Sequence, residues 1–208
     1  MAELFIQSAV RITSDQVWVD GEKISIKKEE EASWLTNIYR NLDIQYPKFF
    51  KMDNLCKAGF LAAEMLMGKS GLEPTEEKRD WSVLLFNRSS SLDNDQSYQQ
   101  TIADSANYFP SPAVFVYTLS NIVTGEIAIR NKIMGESCSY IMDNFDADIL
   151  YETGLIGLSE GKGIDHLLIG WVEFLDDTCD VLLFHVTKEK NGKTICPWNN
   201  VGIKKFFL

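Results

Sequence analysis

Apolar and polar positions change period several times along this chain, and each change marks an element. Phe5 to Ile12 alternates as a strand does, and QVWVDGEKISI places Asp20-Gly21 between two alternating runs, which predicts a hairpin. After the charged KKEEE, a short helix is expected over Ala32 to Asn41. Asp53 stands as an N-cap before NLCKAGFLAAEMLMGKSGL, where Leu55, Phe60, Ala63 and Leu66 recur near helical period and Gly68 or Gly71 supplies the stop.

WSVLLF, Trp81 to Phe86, is a continuous apolar run of the kind covered on both faces, followed by the polar turn NRSSSLDND. SYQQTIADSAN predicts another helix. FPSPAVFVYTLSNIVTGEIAIRNKI carries small residues at Ser120, Thr124, Gly125 and Ala128, which predict a helix packed closely against a neighbour. A helix follows over Ala147 to Glu160, ended by Gly161, and IDHLLIGWVEFL and CDVLLFHVT flank Asp176-Asp177 as an antiparallel hairpin. VGIKKFFL closes the chain as a strand or tail. Strands and helices in this order predict one α/β layered domain over residues 1–208.

Composition narrows the function. A 45% hydrophobic content supports a real core, and a net charge of −10 argues against general binding to nucleic acid or to an anionic membrane surface. The apolar runs fall short of the roughly 20 residues that span a bilayer, and MAELFIQSAVRIT lacks a basic region before an apolar one, so a cytoplasmic protein is expected. Cys56, Cys138, Cys179 and Cys196 are scattered without metal-ligand spacing, so no metal and no cofactor is expected. Asp143, Asp146 and Asp148 lack the glycine and the downstream glutamate of a calcium loop and fit the first turn of a helix. Arg40, Lys48 and Lys51 form the most positive patch, either a solvated face or a docking surface for an acidic partner. His166 and His185 sit in apolar runs and read as packing residues. Cys138 with one of these histidines and Asp146 or Asp148 makes an alternative, a thiol-dependent acyltransferase.

Four segments taken in order carry a resemblance. KMDNLCKAGFLAAEMLMGKSGL, LLFNRSSSLDND, FPSPAVFVYTLSNIVTGEIAIRNKIMGES and GIDHLLIGWVE together resemble the N-terminal half of β-ketoacyl synthases, condensing enzymes of the thiolase fold, over residues 45 to 175. The resemblance implies a thiolase-like half, a mixed, mostly parallel sheet of about five strands flanked by helices. Laid on the family's Gly-Pro-Ser, Gly135-Glu136-Ser137 places Asn144 at the nucleophilic cysteine, with Asp143 before it and Phe145 after it. Asparagine forms no acyl thioester, Cys138 lies six residues upstream, and the two histidines and the lysine of the family's C-terminal half have no counterpart in the 208 residues.

The resemblance therefore implies a non-catalytic partner or specificity subunit in fatty-acid or polyketide-type synthesis, in the setting of bacterial aryl-polyene pigments. Its partner-binding strand would be Ser139, Tyr140, Ile141 and Met142, pairing with a second copy or with a ketosynthase-like chain. Arg40, Lys48 and Lys51 would receive an acyl carrier protein, whose binding also stands as a simpler role for the whole chain.

Overall fold

In the computed structural model, residues 3–69, 71, 77–160 and 163–207 are described. The strands are β1 (Phe5–Thr13), β2 (Val17–Val19), β3 (Glu22–Ile24), β4 (Trp81–Asn87), β5 (Ser137–Ile141), β6 (His166–Leu175), β7 (Thr178–Thr187) and β8 (Cys196–Pro197). The helices are α1 (Trp34–Asn41), α2 (Asn54–Lys69), α3 (Leu92–Gln100), α4 (Pro112–Phe115), α5 (Ile122–Asn131), α6 (Ala147–Glu160) and α7 (Asn200–Lys204). Short 3-10 turns occupy Pro47–Lys51 and Val116–Thr118.

All eight strands join one sheet in the order β3-β2-β1-β7-β6-β4-β5, with β8 beside β1. Only β4 with β5 and β4 with β6 run parallel; the other five pairings are antiparallel. The mixed sheet flanked by helices is as expected, but "mostly parallel" is corrected. The reason lies in two tight turns whose left-handed residues, Asp20 and Gly21 in one and Asp176 and Asp177 in the other, reverse the chain at once and force antiparallel neighbours. The five long strands β1, β7, β6, β4 and β5 form the expected centre, widened by the short β2, β3 and β8.

Each sheet face has its own core. Val83, Leu85, Leu168, Val172, Val181 and Leu183 pack beneath α1, α2 and α5. Leu84, Phe86, Leu167, Ile169, Leu182 and Phe184 pack beneath α6 and α7. Trp81 to Asn87 is buried throughout, which is why β4 reads as unbroken apolar sequence. Asp53 caps α2 as expected, accepting from the Cys56 amide at 3.0 Å.

Four expectations change. α3 begins at Leu92, inside the supposed turn NRSSSLDND, because Asp93 and Asp95 in its first turn complement the exposed amides, and it stops before IADSAN. The proline-led stretch breaks into α4, a 3-10 turn and α5. Close approach of α2 to α5 comes from Gly59 rather than Gly125: a Cβ on Gly59 would lie 2.6 Å from Val123, whereas one on Gly125 meets nothing within 4 Å. VGIKKFFL starts as a helix, α7, since Asn199 caps it by accepting from Gly202 N at 2.9 Å. The expected stop at Gly161 lies outside the described residues.

Candidate functional site

The centre of interest is the strand β5 and the start of α6. β5 is the last strand of the sheet, and among the described residues no strand pairs with its outer edge. Its inner side follows β4 in parallel, from Val83 opposite Ser137 to Asn87 opposite Ile141. The ladder continues one residue further, with Met142 N donating to Asn87 O at 2.8 Å. The expected edge Ser139–Met142 is thus shifted by two residues at its start and one at its end, because pairing begins where the chain leaves Gly135 against Trp81 O.

Side chains of β5 alternate. Cys138, Tyr140 and Met142 turn toward the α6 core, where Tyr140 stacks on Phe86 at 4.8 Å. Ser139 faces the other way and donates to Ser120 O at 3.1 Å. Ile141, 59% exposed, carries the strand's apolar outer surface. Phe115, Val116 and Leu119, in the segment that meets β5 through Ser120, are also exposed.

Asn144 lies exposed in the bend between β5 and α6. Two residues on, Asp146 Oδ1 accepts from Asp148 N at 2.8 Å and Ile149 N at 3.2 Å. The positive end of α6 is therefore held by the chain's own carboxylate, and the acid-rich run DNFDAD is capping chemistry. Phe145 packs edge-on against Trp171 and face to face with Phe207. A recess of 440 Å³ beside them is lined by Phe145, Asp146, Ala147, Asp148, Lys204 and Phe207. The tail residues Lys204 and Phe207 were missed from sequence; the paired aromatics at its end are the one trace of their role.

Cys138 sits opposite Leu84. Its thiol engages Tyr140, whose phenol it helps push up to about 12. Burial raises Cys56 well above the usual thiol range and Cys179 to about 12. Burial also raises Cys196. His166 and His185 meet each other, Nδ1 to Nε2 at 2.9 Å, and both stack on Trp81. They are packing residues, as expected, with desolvation lowering both and His185 reaching about 3. No hydrogen bond from Cys138 to either histidine occurs among the described residues.

The basic patch is largely engaged. Arg40 pairs with Glu29, and Lys48 Nζ reaches the buried Glu126 Oε2 at 2.7 Å. Tyr117 OH lies 3.4 Å from Glu126 Oε1, and its ionisation is pushed up by burial and by that carboxylate. Lys51 is exposed. Glu126 escaped the sequence reading, although a lone acid within IVTGEIAI was its trace. No group of three or more histidine, cysteine or acidic side chains that could hold a metal ion occurs among the described residues. No single described helix is long and apolar enough to cross a membrane.

No known family's sequence profile matches the chain, and no curated protein matches it. Solved structures do. The ishigamide ketosynthase/chain length factor is similar at TM-score 0.60 and 12% identity, over 89% of this chain and 62% of that one. The ketosynthase ApeO in complex with its chain length factor ApeC from Xenorhabdus doucetiae gives TM-score 0.50 and 13% identity, over 81% of this chain and 79% of that one. AntDE:AntF, a type II polyketide synthase acyl-carrier protein in complex with its ketosynthase bound to the hexaketide, gives 0.54 and 11%, over 89% and 63%. The fold is that of the thiolase-like ketosynthases and chain length factors. The chain spans less than two thirds of the length of two of these three structures.

Proposed function

We propose that this chain is a non-catalytic, ketosynthase-like subunit that pairs through β5 with a ketosynthase-like chain and sets specificity in fatty-acid or polyketide-type assembly, aryl-polyene pigments included. The observation that carries the reading is the start of α6. Asn144, which forms no thioester, stands where the resemblance puts the nucleophile, and Asp146 already occupies the helix amides. An uncovered strand edge that carries the exposed Ile141 supports pairing, because a partner strand there satisfies backbone groups and covers apolar surface together. One of the similar structures is of a ketosynthase in complex with its chain length factor, which supports a paired subunit. An acyl carrier protein would approach the basic patch through Lys51, since Arg40 and Lys48 are already paired.

Co-purification with the ketosynthase encoded nearest to it, followed by size exclusion, tests the reading. Wild type and Asn144→Ala co-elute with the ketosynthase, and Ile141→Asp does not; co-elution of Ile141→Asp would overturn β5 as the interface. Intact mass after incubation with acyl-CoA and acyl-loaded carrier protein shows no adduct. An acyl group on Cys138 would instead make the chain a transferase.

A further inference from the structure

We propose that a cavity on the far side of α2, unrelated to β5 and to the start of α6, binds a small molecule that joins a flexible apolar chain to a protonated amine. The cavity has a volume of 590 Å³ and lies between the β2–β3 hairpin, the segment after α1 and the last turns of α2. That volume falls within the roughly 300–1,000 Å³ of small-molecule sites. Its apolar lining is Val19, Ile24, Leu42, Ile44, Met65 and Met67. Two methionine thioethers make an adaptable wall, suited to a chain with several conformers.

Charge at the cavity decides the polar end of the ligand. Its ionisable lining is Glu22, Asp43, Glu64, Lys69 and Arg130. Arg130 is committed to Glu64, with Nη2 to Oε2 at 3.0 Å, and lies over the Tyr46 ring at 4.8 Å. Lys69 faces Asp20 at 3.8 Å. Glu22 and Asp43 remain, two carboxylates with no ion-pair partner among the described residues. A cation completes this set, and an anionic head group such as a fatty carboxylate adds a third negative charge to it. The net charge of −10 steers in the same direction. Asp43 is held at φ +50°, the left-handed conformation that ends α1, which fixes where its carboxylate enters the lining.

Gly68 offers a clean way to close the cavity. It lines the space, and a Cβ added there meets nothing within 4 Å, so a larger side chain can be started from it without a clash at its first atom. Gly125 is equally unobstructed but lies outside the lining, which makes Gly125→Trp the matched control.

The experiment is a fluorescence titration with Nile red, a neutral apolar dye, on the full chain, followed by displacement with dodecylamine, dodecanol or dodecanoate below their micelle concentrations. Dodecylamine displaces the dye at a concentration about tenfold lower than dodecanoate, with dodecanol between them. Gly68→Trp weakens dye binding by about tenfold, and Gly125→Trp leaves it unchanged. Glu22→Gln with Asp43→Asn, which leaves the apolar walls in place, brings amine and carboxylate to within about threefold of each other. Dodecanoate displacing as well as the amine in the wild type would overturn the ligand class. Dye binding that survives Gly68→Trp, or falls equally in Gly125→Trp, would overturn the site and place the dye on exposed apolar surface.

Discussion

Phe207 lies face to face with Phe145, ring centroids 4.0 Å apart and planes 8° from parallel, so the end of the chain is pinned to the bend that holds Asn144. Arg11 covers the Phe207 ring from β1 at 5.2 Å. Three segments far apart in sequence are thereby tied at one place.

Removing the ring tests that tie. Phe207→Ala loses about 1.5–3 kcal/mol of stability by denaturant unfolding, less than a fully buried phenylalanine because Phe207 is half-buried. Phe145→Ala costs a similar amount, and the double variant costs less than the sum, as expected for residues in contact. Strict additivity would mean that the two rings do not share an interaction.

Lys48 and Glu126 make a second test, which separates a structural cation from a docking one. Lys48→Met leaves the 3%-exposed Glu126 carboxylate uncompensated, and about 1–3 kcal/mol is lost; the 42% exposure of Lys48 keeps the figure below that of a fully buried pair. Adding Glu126→Gln restores part of the loss by removing the stranded charge. A Lys48→Met protein as stable as wild type, but deficient in binding a carrier protein, would return Lys48 to the docking surface.

The stacked histidines set a pH dependence. Desolvation lowers both, so between the ordinary histidine value near pH 6.5 and the folded value of about 3 for His185 the unfolded chain holds more protons than the folded one. Stability from this source is complete above pH 6.5 and declines as the pH falls. For His185 alone, the loss from pH 6.5 to pH 5 is about 1.6 kcal/mol. Urea unfolding across that window checks it. His185→Leu flattens the dependence, and an unchanged slope in that variant would assign the effect to other groups.

Much of this architecture was legible in the sequence because it depends on local chemistry. Asp20-Gly21 and Asp176-Asp177 declare their hairpins, Asp53 declares a helix start, and the run from Trp81 to Phe86 declares a strand between two layers. These features follow from backbone sterics, capping and hydrophobic period, all set within a few residues. The ordered segments from Lys51 to Glu173 carried the ketosynthase resemblance, and the fold agrees with it.

The remainder was decided by contacts between distant segments. Sheet direction depended on β1 entering between β2 and β7, which no local pattern states. The helical tail depended on Asn199 and on the Phe145 stack, and the engagement of Lys48 depended on a glutamate 78 residues away. The 590 Å³ cavity is the space left between a hairpin and the end of a helix. Sequence determined which segments are strands and helices and which ends are capped. Tertiary structure determined which charges are neutralised, which edge stays open and where space remains, because each of these depends on the distance between side chains that only packing brings together.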